Sequence, residues 1–135
     1  MHKARWILPG GHLIVAALNA MFDDVATEYS ALDWESFKLP RGSRSSLNAE
    51  TQAAATAADA LESVKTCWGL LKDPTKTLLD PALQLDRRSA LVVDAKSLYE
   101  ALHKESINQG AACKRTAVEQ FVMRRSLEAT ASAVR

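Results

Sequence analysis

Ala90-Leu91-Val92-Val93-Asp94-Ala95-Lys96-Ser97-Leu98-Tyr99-Glu100-Ala101-Leu102 is the stretch on which the fold turns. Its first four residues are apolar, with Arg87-Arg88-Ser89 before them and Asp94 after, the pattern of a short interior strand over about residues 90–94. Leu98, Ala101 and Leu102 follow at helical spacing, so the strand leads directly into a helix over about residues 95–105.

Upstream, an alanine-rich segment predicts a long helix over about residues 46–72, with Ser46 as its N-cap and Asp73-Pro74 as its stop. Ala57, Leu61, Val64, Trp68 and Leu71 recur by threes and fours and form its core-facing stripe. Before it, Lys38 to Ser46 has loop composition and holds the cations Lys38, Arg41 and Arg44. Residues 11–39 read as a strand hairpin turning at Asp23-Asp24, with Leu32 and Trp34 on one side and Asp33 on the other. By periodicity alone, the apolar run Leu13 to Leu18 fits a strand or a short helix equally. Residues 75–88 form a connector. A last helix over about residues 115–130 turns Val118, Phe121 and Val122 to one face, and no strand is expected after it. Strands, helix, strand, helix, helix make an α/β pattern; the alanine content leaves an all-helical bundle as a weaker alternative.

The length of 135 residues suits one domain, and 47% apolar with 24% charged residues is ordinary for a globular chain. A net charge of +1 gives no global footprint for nucleic acid, so phosphate binding would have to come from local clusters such as Lys38, Arg41 and Arg44. That cluster is equally well read as a solvated loop. Cys67 and Cys113 share no metal-ligand spacing with each other or with His2, His12 and His103, and read as reduced thiols. The three histidines read as isolated, and Trp34 and Trp68 as core residues. Pro9-Gly10-Gly11-His12 breaks the apolar start too early for a secretory signal, and no apolar run approaches a membrane span. An intracellular, soluble chain without a membrane partner is the expectation.

Two acids stand out by position. Glu50 falls seven, fourteen and twenty-one residues before Ala57, Val64 and Leu71, which puts a carboxylate on the apolar stripe. Complementing the helix dipole from a solvated position would also explain it. Asp94 ends the strand at the carboxyl edge, where α/β sheets bind ligands, and would serve equally as an N-cap. If the two converged they could hold a divalent cation, since magnesium binds through few carboxylates plus water and phosphate oxygens.

Several blocks resemble a known family. Leu32-Asp33-Trp34-Glu35-Ser36-Phe37-Lys38-Leu39-Pro40-Arg41 and Arg44-Ser45-Ser46-Leu47-Asn48-Ala49-Glu50-Thr51-Gln52-Ala53 are similar to the third strand and first helix of ribonuclease H domains from copia-type retrotransposon polyproteins. Leu91 to Leu102 resembles the fourth strand and following helix of that family, Lys114-Arg115-Thr116-Ala117-Val118-Glu119 its next helix start, and Gly10-Gly11-His12-Leu13 the opening of its second strand. The resemblance implies a ribonuclease H-like mixed sheet with flanking helices, and favours strand for Leu13 to Leu18. It implies magnesium-dependent hydrolysis of the RNA strand of an RNA–DNA hybrid, with Glu50 and Asp94 as catalytic metal ligands. The reverse transcriptase portion of the same polyprotein is the implied protein partner.

The departures bear on activity. The family carries its first catalytic aspartate on a strand upstream of the Gly-Gly element, whereas Met1 to Pro9 contains no acid. Its last strand and final acid should follow the last helix, and Cys113 stands where relatives have an acidic residue. The expectation is therefore a single partial domain, incomplete at both ends and with little nuclease activity alone. The alternative is a non-catalytic α/β remnant acting as a nucleic-acid-binding or structural module.

Overall fold

A computed structural model describes residues 8–40, 42, 45–78, 80, 88–103, 114–129 and 132–135. Strand β1 (Pro9–Ala17) pairs antiparallel with β2 (Tyr29–Lys38), from Pro9 opposite Lys38 to Ala17 opposite Tyr29. The apolar run after Gly10-Gly11 is thus a strand, and the hairpin expected over 11–39 is present. Ile14 faces Asp33 and Val15 faces Ala31, so Leu32 is an extra residue that bulges the ladder. The connection is a 3-10 turn, Asn19–Asp23, closed by Asp24 with φ of 58°. Aspartate tolerates that left-handed conformation better than most residues. Ile14 and Leu39 are buried, whereas Leu13 and Trp34 sit directly opposite each other on the outer face and are exposed. Trp34, expected in the core, is 71% exposed, because that face of the hairpin has no covering layer among the described residues.

Helix α1 (Ser46–Lys72) ends before Asp73-Pro74 as expected. Its N-cap is Ser45, one residue earlier than expected: the Ser45 backbone is extended and its Oγ accepts the Asn48 N–H at 3.2 Å. Two faces of α1 differ in their surroundings. One buries Thr51, Gln52, Ala54 and Ala58. The stripe chosen from the sequence lies on the other face, where Ala57, Leu61, Val64 and Trp68 border a cleft and Leu71 is exposed.

Strand β3 (Ser89–Leu91) is followed by α2 (Lys96–His103), α3 (Lys114–Ala129) and β4 (Ser132–Val134). β3 and β4 pair in parallel, with Ser89, Ala90 and Leu91 opposite Ser132, Ala133 and Val134. Two further backbone bonds extend the ladder, from Arg135 N–H to the Leu91 carbonyl and from Val93 N–H to the Arg135 carbonyl, each 2.9 Å. A strand after the last helix was not expected. Ser132-Ala133-Val134 is too short and too weakly apolar to stand out by pattern.

The core gathers Ala54 and Ala58 from α1, Leu91 from β3, Leu98 and Leu102 from α2, and Met123 and Leu127 from α3. α2 buries the expected residues, Leu98 completely. α3 does not: Val118, Phe121 and Val122 are exposed, and Thr116, Gln120, Met123 and Leu127 are buried instead. Both sets have helical spacing, and partners on α1 decide between them. Asn48 Nδ2 donates to Thr116 Oγ1 at 2.7 Å, Gln52 Nε2 to Asn48 Oδ1 at 2.6 Å and Gln120 Nε2 to Thr51 Oγ1 at 3.1 Å. A buried amide or hydroxyl is tolerated when bonded, so this network lets a polar stripe become the buried one.

The molecule is mixed α/β, which removes the all-helical alternative. Among the described residues the strands form two separate two-stranded sheets, β1–β2 and β3–β4, rather than the single mixed sheet expected. No helix among the described residues is long and apolar enough to cross a membrane.

Candidate functional site

Lys65, late in α1, donates from Nζ to Ser89 Oγ at 3.0 Å, which fixes the start of β3 against the C-terminal half of the helix. Leu91 then shares a core cluster with Ala54 and Ala58, against which Val93, Ala95 and Leu47 also pack. The β3 segment therefore runs against the direction of α1, from Lys65 back toward the helix N-terminus. Asp94 lies at the end of that path.

Glu50 and Asp94 line the same cleft, of about 780 Å³, between α1, β1 and β3. Its floor is the α1 face of Ala53, Ala57, Leu61, Val64 and Trp68, with Gly11–Ala17 along one wall and Arg88–Asp94 along the other. This resolves the tension at Glu50. A carboxylate on an apolar stripe would be costly in a packed core, but the stripe borders an open cleft and Glu50 is exposed. Asp94 is also exposed, and its carboxylate accepts no hydrogen bond among the described residues. The N-cap role considered for Asp94 is not observed; α2 starts at Lys96, and the Ala95 carbonyl takes the first helical bonds, from Leu98 and Tyr99 N–H at 3.0 Å each.

Of the cations singled out for phosphate contact, Lys38 is exposed at the end of β2 and does not line the cleft. Arg41 and Arg44 lie outside the described residues. Trp68 lines the cleft at 36% exposure rather than filling a core. His12 was read as isolated and is not: its Nε2 lies 3.1 Å from Asp33 Oδ2 across the hairpin, its side chain is 4% exposed, and its Nδ1 is buried without a partner. That pair depends on strand register, so sequence spacing could not reveal it.

Two carboxylates lining one cleft are a donor set that a magnesium ion could use, since that cation binds through few carboxylates plus water and phosphate oxygens. No group of three or more His, Cys, Asp or Glu side chains able to hold a metal occurs among the described residues. No protein-family profile, curated protein or solved structure matches the chain.

Proposed function

We propose that this chain is a ribonuclease H-type domain of the copia-like retrotransposon kind, one that engages an RNA–DNA hybrid and a single weakly held magnesium ion but turns over little by itself. The observation that carries the reading is the shared cleft of Glu50 and Asp94. Two acids 44 positions apart in the chain, each within a block that resembles the family, line the same cavity. Magnesium bound there would polarise a water and a phosphate oxygen. Glu50 and Asp94 would supply the protein oxygens, and Lys38, Arg41 and Arg44 would contact the hybrid backbone without reading sequence. The reverse transcriptase portion of the same polyprotein is the proposed partner.

Two carboxylates do not fix a pair of ions, so efficient hydrolysis is not expected. Calorimetric titration should detect weak magnesium binding that falls for both Glu50→Gln and Asp94→Asn, while a labelled hybrid is bound in a salt-dependent manner and cleaved near background. Magnesium binding unaffected by either change would sink the metal-site reading. Strong cleavage abolished by Glu50→Gln would instead overturn the expected inactivity. Salt-dependent hybrid binding with no metal binding would favour the non-catalytic nucleic-acid module.

A further inference from the structure

The walls of the cleft are strand edges. Seven consecutive residues of β1, Gly11–Ala17, and seven consecutive residues around β3, Arg88–Asp94, line it. Successive residues of a strand point to opposite faces, so a cavity lying over a face would meet every second residue. One that meets every residue abuts the backbone edge. On the β3 side, the Leu91 carbonyl and the Val93 N–H are committed to Arg135, so Ala90 and Val92 turn their N–H and C=O groups the other way, toward the cleft. On the other side β1 pairs only with β2 among the described residues, and alternate residues of β1 direct their backbone groups away from it.

We infer that this slot takes up an extended segment of a partner polypeptide as a middle strand, joining the hairpin and the β3–β4 pair into one sheet. Two rows of backbone donors and acceptors that line one cleft and have no strand partner among the described residues are a template for a strand, because only extended backbone satisfies both at once. The dimensions agree. Seven residues of strand span about 23 Å, and the sixteen residues from Glu50 to Lys65 on the floor span about 24 Å. Side chains on the inner face of the segment meet Ala53, Ala57 and Leu61, so every second residue of the partner is a mid-sized aliphatic. The slot is acidic at the Glu50 and Asp94 end, and Lys65 and Arg88 line its other end, so the segment carries a cation at one terminus and an acid at the other.

This inference needs no metal, although the slot is the cleft of the nuclease reading and shares its Glu50 and Asp94. Its test uses capped seven-residue peptides with valine alternating with threonine, lysine at one end and glutamate at the other, made in both charge orders and added to the full chain in EDTA. At least one peptide should slow amide exchange at Ala90 and Val92 by about tenfold or more. The same peptide N-methylated at alternate residues should lose that effect, because it lacks the donors. Val92→Pro, which removes an N–H facing the slot and leaves the bonds to Arg135, should weaken binding by a similar factor. No protection by either peptide, or equal protection by the N-methylated one, overturns the inference, as does protection that rises with protein concentration alone, which would assign the slot to a second copy. Carboxylate-dependent magnesium binding without peptide binding would sink this inference and leave the nuclease reading standing; the reverse outcome would do the opposite.

Discussion

Lys65 shows how a single side chain sets the geometry of the cleft at an electrostatic cost. Its stem is buried and its ammonium holds Ser89, which also bonds Ser132 Oγ at 2.6 Å. Burial pushes the Lys65 pKa below its ordinary value of 10.5, and nearby Glu62 offsets this only in part. A group whose pKa is lower in the folded chain binds its proton more tightly when unfolded, so its charge opposes folding at neutral pH. That opposition fades as pH rises through the lowered pKa toward 10.5. Lys65→Met keeps the stem and deletes the charge; its melting temperature at pH 7 should equal or exceed that of the parent, and the gain should shrink toward pH 10. A clear loss of stability at pH 7 would mean that the bond to Ser89 outweighs desolvation. At this scale the positions of Glu50 in the first turns of α1 and of Asp94 after β3 were legible in the sequence, because each falls where its element has a defined face or end. The His12–Asp33 pair was not, because it forms across a ladder next to the Leu32 bulge.

Among the elements, the β1–β2 hairpin has the sharpest steric constraint. A Cβ on Gly11 would lie 2.9 Å from the Glu35 carbonyl oxygen, which is backbone of the paired strand. On Gly10 it would lie 2.8 Å from Phe37 Cε2 and 2.9 Å from Leu39 Cδ2, the far ends of side chains that can shift. Gly11→Ala should therefore destabilise by about 1–3 kcal/mol, as overpacking does, and Gly10→Ala by less. Urea denaturation of the two variants checks this, and equal losses would contradict it. The existence and limits of α1 were readable from its composition and its Asp73-Pro74 stop. Which stripe of α1 and α3 would be buried was not, because the apolar stripes compete with polar ones that bond each other between the helices. Hydropathy alone ranks those two faces in the wrong order.

At the scale of the whole molecule, the α/β class followed from alternating patterns, but the split into two sheets did not. Strand pairing between distant segments leaves no local mark, and β4 holds only three residues. The exposed pair Leu13 and Trp34 and the exposed α3 face of Val118, Phe121 and Val122 follow from the same arrangement, in which each layer is covered on one side. Backbone amide exchange should divide accordingly. The Leu91 to Val93 segment, tied to a three-residue partner, should exchange faster than the centre of α1, whose Thr51, Ala54 and Ala58 are buried. Uniform protection across both would argue for a single cooperative unit.

The Ser89–Ser132 contact links residues 43 positions apart, whereas Ala17 and Tyr29 close the hairpin across only 12. Loop closure over the longer span costs more chain entropy, and parallel pairing repays it only after α2 and α3 have docked on α1. During folding the hairpin is therefore free to form early, while the wall of the cleft that carries Asp94 is completed last.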